Sequence, residues 1–288
     1  MQLPCTSLLI RHLNSKYSDA NKGDNGMEFR ITVNFIFLAV ITSLMLHPTT
    51  TKGQAVEDGL ISHWTFDKKN TNINVGEALD QVGNEHPGEI KGRPKIVEGK
   101  VNEALKFNGK EDYVVMGDVT EGQDLTYAMW IKVDKLPEAP KVIIWDDNPN
   151  GGGDAWLQLN ADGTVETQRA GDGFGVFKTK SPIKAGEWTH ITYVADGEND
   201  IKTLYLNGVP TGDQGGKITT RTGISHVVVA VGHDRNNFIK PWYFDGDIDE
   251  VAIYLRALTP QEVKKNYKES MAIDLKGKLA MTWGDIKN

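Results

Sequence analysis

An acidic, glycine-rich segment between two tryptophans carries the most distinctive chemistry of the sequence. Asp146 and Asp154 offer hydrogen-bond acceptors, which suit either the hydroxyls of a sugar or a calcium ion. Trp145 and Trp156 flank the segment and could present a flat apolar surface to the C–H face of a sugar ring. A plainer interpretation places both tryptophans in the core and leaves the loop solvated. The segment predicts ligand-binding residues at Trp145, Asp146, Asp154 and Trp156, with core packing as the alternative.

A second aromatic segment, residues 236–243, comes just before the last strand signal and contains Trp242. Loops at the rim of a β-sandwich commonly carry recognition residues. We therefore expect Trp242 to contact the same ligand, although packing against a neighbouring loop fits the pattern equally well. If Trp145, Trp156 and Trp242 all lie in the core, the stacking hypothesis has no surface to use.

A carboxylate near the end of the chain lies in an apolar strand pattern. Asp249 shares its parity with Val251, Ile253 and Leu255, and alternate side chains of a strand lie on one face. We therefore expect Asp249 on the apolar side of the strand. Burying an unpaired charge costs several kcal/mol or more, so Asp249 requires a partner or a cation.

Short strand signals separated by turns occupy most of the remaining sequence. The segment 125–133 alternates between apolar and polar residues, and Asn207-Gly208 is a strong hairpin signal. One helix is expected from Pro260 to about Tyr267, because Thr259 and Glu262 form a capping box around Pro260. The pattern predicts an all-β fold, a two-sheet antiparallel β-sandwich or jelly roll with one short C-terminal helix.

Five segments, in order, resemble the laminin-G-like jelly roll of the concanavalin A-like lectin/glucanase superfamily. They span nearly the whole expected domain, and they are typical of the fold more than of any one activity. The segments are residues 59–67 (GLISHWTFD), 99–109 (GKVNEALKFNG), 125–131 (LTYAMWI), 188–208 (WTHI to LYLNG) and 246–267 (GDIDEVAIYLRALTPQEVKKNY).

The resemblance implies a structural calcium ion, because proteins of this fold often hold one after the first strand. On this chain the implied ligands are Asp80, a carbonyl near Gly83, the amide of Asn84 and Asp249. Calcium takes six to eight oxygen ligands from carboxylates and carbonyls. The alternative is that Asp80 caps a turn and Asp249 accepts hydrogen bonds from backbone amides.

The resemblance also bears on catalysis. Glucanases of this fold carry a Glu-x-Asp-x-x-Glu triplet on one strand, and this sequence has no such triplet. A retaining glycosidase needs two carboxyl groups about 5–5.5 Å apart. We therefore expect a non-catalytic recognition module for glycans. The alternative is an adhesion or interaction domain with a protein partner, and a glycoside hydrolase is a third, weaker interpretation.

The N-terminal quarter divides into unlike parts. Residues 27–55 have the charged start, apolar run and small-x-small ending of a secretory signal, and residues 1–26 form an upstream extension. The domain is expected at 56–270, followed by a tail at 271–288. This arrangement predicts a secreted or cell-surface protein, periplasmic in a bacterium, with no membrane attachment after cleavage; the alternative is that the apolar run is retained as a membrane anchor. The net charge of −7 without a basic cluster disfavours nucleic acid as a partner.

Overall fold

A computed structural model describes residues 55–83, 85–120, 122–147, 155–169, 176–215, 217–218, 224–234, 237–238 and 242–269. The side chains of residues 118–120, 147, 169, 214–215, 224–225, 233–234 and 237–238 lie outside this description. Asn84 and Asp154, both predicted as site residues, also lie outside the described residues. So do residues 1–54, which include most of the predicted signal, and the predicted tail at 271–288.

The described residues form nineteen strands and one helix, α1, over residues 260–269. The strands are β1 (Leu60–Trp64), β2 (Thr71–Asn72), β3 (Glu77–Ala78), β4 (Gly88–Lys91), β5 (Lys95–Glu98), β6 (Glu103–Asn108), β7 (Tyr113–Thr120), β8 (Leu125–Lys132), β9 (Lys141–Asp147), β10 (Ala155–Leu159), β11 (Val165–Arg169), β12 (Phe177–Lys178), β13 (Thr189–Asp196), β14 (Ile201–Leu206), β15 (Val209–Gly215), β16 (Ile224–Val229), β17 (His233–Asp234), β18 (Asn237–Phe238) and β19 (Asp245–Tyr254).

Two large sheets contain nearly all of these strands. Sheet A has the order β15-β14-β13-β8-β19-β6-β5, and β1 also pairs with β19. Sheet B has the order β12-β11-β10-β9-β16-β7-β4-β3-β2, while β17 pairs with β18 separately. Neighbouring strands run antiparallel. The prediction of an antiparallel two-sheet β-sandwich with one short helix is confirmed.

The main core lies between the two sheets and is built by alternation along the strands. On β8, Leu125, Tyr127, Met129 and Ile131 all belong to this core. The other face of β8 is buried as well, since its burial pattern is continuous from residue 125 to residue 131. Trp130 on that face is 2 % exposed, which agrees with the expectation that both faces of this strand are covered.

Helix α1 covers part of the outer face of sheet A. The Thr259 hydroxyl accepts a hydrogen bond from the backbone N–H of Glu262 at 3.3 Å, and the Glu262 carboxylate accepts the N–H of Thr259 at 2.9 Å, as in a capping box. Val263 on the helix packs with Ala128, Ala252 and other outer-face residues in a second apolar cluster. Among the described residues, no helix is both long enough and apolar enough to cross a bilayer.

A β-bulge in β19 reverses the expected orientation of Asp249. The register of β19 against β8 runs from Asp249 opposite Trp130 to Ala252 opposite Ala128, so β19 contains one extra residue. Glu250 in the bulge has a φ of +52°, in the left-handed region that non-glycine residues seldom adopt. Asp249 therefore lies on the outer face with Trp130. Its predicted placement on the inner apolar side was wrong, because the bulge breaks the alternation.

Candidate ligand-binding site

Three tryptophans from distant parts of the sequence stack side by side on the outer face of sheet B. The ring centroids of Trp145 and Trp156 are 6.4 Å apart with an interplanar angle of 20°. The centroids of Trp145 and Trp242 are 5.6 Å apart with an angle of 28°. These spacings are those of offset-stacked aromatic pairs. We call the row Trp156–Trp145–Trp242 the tryptophan ladder.

The strand order explains which ring is in the middle. Trp145 on β9 is directly opposite Trp156 on β10. Trp242 lies against Gly232, just beyond the end of β16, and β16 is the other neighbour of β9. Trp145 therefore has a ring on each side and is 7 % exposed, whereas Trp156 and Trp242 are half-buried. A sugar ring could stack only on the outward faces of the two end rings.

A glycine makes room for one end of the ladder. A Cβ atom at Gly232 would lie 2.5 Å from Cε3 of Trp242, well inside the van der Waals distance. The close approach of this ring to the backbone therefore requires glycine. None of the three tryptophans belongs to the main core between the sheets. The stacking hypothesis keeps its surface, and ligand binding by these residues stays a prediction.

Polar side chains border the ladder on the side of β11. Gln158 lies opposite Glu166, and Trp156 lies opposite Gln168, so these four side chains share the outer face. The Gln158 amide donates to the Glu166 carboxylate at 2.8 Å, and the Asn160 amide donates to its other oxygen at 3.2 Å. The two amides hold Glu166 in one position.

Asp146 is separated from the ladder by the alternation of β9. It is 1 % exposed, and the buried hydroxyl of Tyr127 donates a hydrogen bond to Asp146 Oδ2 at 2.6 Å. Tyr127 belongs to the main core, so Asp146 faces the interior of the sandwich. Its prediction as a ligand residue beside Trp145 has no support in this geometry, because neighbouring residues of a strand face opposite ways.

Asp249, one of the implied calcium ligands, holds a loop on the outer face of sheet A. Its Oδ2 accepts the backbone N–H groups of Lys100 and Val101, both at 2.9 Å. A Cβ atom at Gly99 would lie 2.7 Å from the same oxygen, so the loop can approach the carboxylate only with glycine there. Burial raises the pKa of Asp249 well above its ordinary value, and the charge of Glu250 adds to this effect against the two amide bonds.

A second carboxylate holds the other end of the same loop. Asp67 Oδ1 accepts the N–H of Glu103 at 3.2 Å, and Asp67 Oδ2 accepts the side-chain amide of Asn102 at 3.3 Å. Asp67 follows β1, and residues 99–103 lead into β6, so the two carboxylates join three segments that are distant in sequence. We call residues 99–103 the clamped loop. Holding the clamped loop accounts for two of the motif aspartates without any ligand.

Asp80, the other implied carboxylate ligand, caps its own turn. Asp80 Oδ1 accepts the N–H groups of His63 at 2.8 Å and Val82 at 3.0 Å, and its Oδ2 accepts that of His86 at 3.4 Å. Three of the four carboxylate oxygens of Asp80 and Asp249 thus accept backbone amides. Asp249 Oδ1 is buried without a hydrogen-bond partner among the described residues.

The implied calcium set therefore fits only in part. Asp249 Oδ1 is a buried acceptor that a cation could use, but no group of three acidic, histidine or cysteine side chains in the described ranges converges on a metal position. Gly83 has a φ of +71° within the turn that Asp80 caps. Calcium at Asp80, Gly83, Asn84 and Asp249 stays a prediction.

A histidine that the sequence did not single out forms the closest ion pair of this region. His63 Nε2 is 2.7 Å from the carboxylate of Glu250, the bulge residue. Burial lowers the pKa of His63, but the hydrogen bond and charge of Glu250, with the charges of Asp80 and Asp67, more than offset it, so the pKa is raised. By contrast, burial lowers the pKa of His190 to about 3.

One serine, one histidine and one aspartate meet near β1, but not as a catalytic triad. The Ser62 hydroxyl lies 2.8 Å from His86 Nδ1, and Asp80 Oδ2 lies 3.6 Å from that same nitrogen. In a triad the serine and the acid bond to opposite nitrogens of the imidazole. Ser62 is also fully buried, so it cannot reach a substrate.

The comparisons with known proteins agree with the fold. The family model described as the concanavalin A-like lectin/glucanases superfamily, of the laminin G type, matches residues 108–264, more than half of the chain. The chain belongs to this family. Its match covers β7 to β19 and the start of α1, so the strands that carry Trp145 and Trp156 lie inside it.

Individual relatives are more distant. Over 77 residues the chain is 34 % identical to the human adhesion G-protein coupled receptor D1, a match that covers 26 % of this chain and 8 % of the receptor. Among solved structures, it is similar to domain 4 of AbnA, an extracellular arabinanase of Geobacillus stearothermophilus in complex with arabinotriose. That match has 22 % identity and a TM-score of 0.53, over 72 % of this chain and 98 % of that domain.

A sialidase of Trypanosoma rangeli has the same fold in part of its length. The identity is 16 % and the TM-score 0.58, over 84 % of this chain and 40 % of the sialidase. At these identities the structural matches establish the fold alone.

The alternation of strands β10 and β11 indicates the polar side chains beside Trp156. Trp156 and Gln158 alternate with Ala155, Leu157 and Leu159, which gives one buried and one half-buried face. The same period in β11 places Glu166 and Gln168 beside them. Pairing the two strands across the turn at residues 161–163 would have placed Gln158, Glu166 and Gln168 next to Trp156.

Proposed function

We propose that this domain is an extracellular, non-catalytic recognition module that binds glycans through the tryptophan ladder. The observation that carries the proposal is the position of the ladder, because its two end rings are half-buried on the outer face of a sheet. Aromatic faces bordered by amides and a carboxylate suit sugars, which offer apolar C–H faces and hydroxyl groups together. A shallow site of this kind buries little area, so the binding is weak.

Two of the similar proteins support this proposal. The arabinanase domain was solved in complex with arabinotriose, and the other protein is a sialidase solved in complex with 2,3-difluorosialic acid. The non-catalytic part of the proposal is supported by the roles of three acidic residues of β19. Asp247 contacts Lys132 at 2.8 Å, Asp249 holds the clamped loop and Glu250 pairs with His63, so each has a structural partner.

Binding to immobilised or soluble polysaccharides tests the proposal directly. Affinity electrophoresis through gels containing arabinan, xylan or a β-glucan should retard the wild-type domain. Control proteins that are rich in tryptophan but have a different fold should migrate unchanged. Release of reducing sugars from the same polysaccharides should stay at background. Migration unaffected by every polysaccharide tested would contradict glycan binding, and sustained sugar release would contradict the non-catalytic assignment.

A protein partner is the second candidate, and one observation favours it. One relative of the chain is an adhesion receptor, although the match covers only 8 % of that receptor. Pull-down with extracellular proteins would favour this candidate if the Trp156→Ala variant retains the partner and no polysaccharide retards the wild type.

Calcium is a secondary proposal. If Asp80, Gly83, Asn84 and Asp249 bind the ion, mass action raises the melting temperature as free calcium increases. We expect Asp249→Asn to remove that rise, because it removes one carboxylate charge from the set. A melting temperature that is the same in calcium and in chelator would contradict the proposal.

A further inference from the structure

The two ends of the tryptophan ladder differ in what surrounds them. The face of Trp156 that does not stack on Trp145 looks over β11, because β9 and β11 flank β10 on opposite sides. Directly opposite Trp156 on β11 is Gln168, and Glu166 lies one pair further along the same face. The Trp156 end therefore combines an aromatic face with a carboxamide and a fixed carboxylate.

Among the described residues, the Trp242 end has apolar and aromatic neighbours. Trp242 lies against Gly232, and the next residue along the chain, Tyr243, forms a buried cluster with Val228 and Val231. Tyr243 also contacts the ring of Tyr113, with centroids 6.2 Å apart. This end of the ladder offers an aromatic edge on an apolar patch.

A sugar needs both kinds of contact for specific binding. Stacking supplies the apolar part, and hydrogen bonds from polar side chains fix the orientation of the ring. Each oxygen of Glu166 accepts one amide bond, from Gln158 or Asn160, and a carboxylate oxygen can accept a further hydroxyl. Gln168 can both donate and accept, as sugar hydroxyls require. Only the Trp156 end of the described ladder brings these groups together.

The charge at this end selects among sugars. The Glu166 carboxylate is held by two neutral amides, so its negative charge repels a sugar carboxylate or sulfate placed over Trp156. Lys178 lies opposite Glu166 on β12, but its ammonium group pairs with Asp162 at 2.9 Å. The site therefore favours a neutral sugar over an acidic one.

We propose that the primary subsite is the Trp156 end of the ladder. It takes a neutral sugar unit of a polysaccharide, stacked on Trp156 and hydrogen-bonded to Gln168 and Glu166. This assignment rests on the proposed glycan-binding function and adds to it the end of the ladder, the polar partners and the charge class of the ligand.

Affinity electrophoresis of the full chain tests the assignment, with arabinan, xylan and β-glucan as neutral probes and polygalacturonate as the acidic probe. We expect Trp156→Ala and Gln168→Ala each to weaken binding of the neutral probe by about tenfold or more. Trp242→Ala should weaken binding less than Trp156→Ala does, since the described residues beside Trp242 include no amide or carboxylate side chain. Gln81→Ala, an exposed glutamine on a distant turn, is the matched control and should have no effect.

Two conservative variants separate binding from folding. Trp156→Phe keeps a smaller aromatic face and should bind better than Trp156→Ala. Glu166→Gln keeps the shape and removes the charge, but it replaces one acceptor oxygen with an NH2 donor. Neutral probes should therefore bind more weakly than to the wild type, while polygalacturonate should be discriminated against less strongly. A near-UV circular dichroism spectrum of each variant verifies that the remaining tryptophans keep their packing.

The outcomes distinguish the two proposals. A tenfold loss in Trp242→Ala with no loss in Trp156→Ala would overturn the subsite and leave glycan binding intact. So would a preference of the wild type for polygalacturonate over every neutral probe. A wild type that none of the four polysaccharides retards would overturn glycan binding and the subsite together.

Discussion

The two outer faces of the sandwich differ in how far other parts of the chain cover them. On sheet A the face is covered by helix α1, by residues 55–59 and by the clamped loop. The Val56 N–H, for example, donates to Asn266 Oδ1 at 2.8 Å across 210 positions of sequence. On sheet B the centre of the face carries the tryptophan ladder, and its end rings stay half-buried.

This difference separates the residues that identify the fold from those that could bind a ligand. The motif residues Asp249, Arg256, Thr259 and Glu262 all lie on or beside the covered face. Arg256 forms two hydrogen bonds to the Glu262 carboxylate, at 2.9 and 2.7 Å, and Glu262 also caps the helix. These residues hold helix α1 and the neighbouring loops against sheet A. A resemblance carried by such residues identifies an architecture, and the ligand has to be sought on the other face.

The largest effect is expected from breaking the clamp on the covered face. Asp249→Ala leaves the N–H groups of Lys100 and Val101 buried without an acceptor, and each such group costs about 1–3 kcal/mol. We expect the free energy of unfolding to fall by about 2–5 kcal/mol in urea denaturation at pH 7. Glycan binding by the surviving folded protein should be unchanged, since the ladder lies on the opposite sheet.

Asp249→Asn is the matched control for the clamp. It keeps an oxygen that accepts from the two amides and removes the carboxyl group, whose pKa is raised by burial. Between the ordinary pKa of an aspartate and the raised pKa of Asp249, the folded protein keeps a proton that the unfolded chain has lost. The free energy of unfolding of the wild type therefore falls as pH rises through this range. The asparagine variant should lack this fall. If both variants lose the same stability at pH 7, the hydrogen bonds are not what Asp249 contributes.

Sequence reasoning located the strands better than it located the faces. The predicted segment 125–133 corresponds to β8, and the hairpin signal Asn207-Gly208 joins β14 to β15. Strand β9 was not predicted, because its apolar run from Val142 to Ile144 is only three residues long and is followed directly by Trp145 and two aspartates. Without β9, the pairing of Trp145 with Trp156 could not be foreseen.

The site was only partly predictable for a related reason. Trp145, Trp156 and Trp242 are recognisable as candidates by type, but their stacking depends on the order β10-β9-β16, which is a property of the whole sheet. The face of Asp249 depends on a single extra residue at Glu250, which local alternation does not reveal. The side of Asp146 was predictable from parity alone, since it follows Trp145 directly.

A moderate effect is expected from adding one carbon atom under the ladder. Gly232→Ala places a Cβ atom 2.5 Å from the Trp242 ring, so the ring has to shift from its present position against Trp145. Overpacking of this kind costs about 1–3 kcal/mol. We expect a loss of stability in that range and a change in the near-UV circular dichroism of the coupled tryptophans.

Gly122→Ala is the control for this substitution, since its added Cβ atom would meet its nearest neighbour at an ordinary 3.7 Å. It should leave both the stability and the spectrum unchanged. If Gly232→Ala leaves the spectrum unchanged as well, Trp242 is not held against Trp145. If it weakens neutral glycan binding more than Trp156→Ala does, the ladder has to be reinterpreted with Trp242 as its binding end.

The smallest effect concerns the ion pair beside the bulge on the covered face. Glu250 raises the pKa of His63 above the ordinary 6.5, with Asp80 and Asp67 adding to it. The pair therefore stabilises the folded protein fully below pH 6.5, and this contribution is lost as pH rises through the raised folded pKa. Glu250→Gln keeps a hydrogen-bond acceptor for His63 and removes the charge. We expect it to lower the free energy of unfolding on the order of 1 kcal/mol at pH 5.5, and by much less at pH 9.

The difference between wild type and Glu250→Gln isolates this pair from the other buried titratable groups. His190, with its pKa lowered to about 3, destabilises both proteins equally in acid, so its contribution cancels. The charge of Glu250 also raises the pKa of Asp249, because the two carboxylates repel each other. Glu250→Gln removes this repulsion, which stabilises the variant at high pH and makes the difference between the two proteins fall more steeply as pH rises. Urea titrations at pH 5.5, 7 and 9 measure the difference. A difference that is constant with pH, or larger at pH 9, would mean that His63 is neutral in the folded protein and that the pair is an ordinary hydrogen bond.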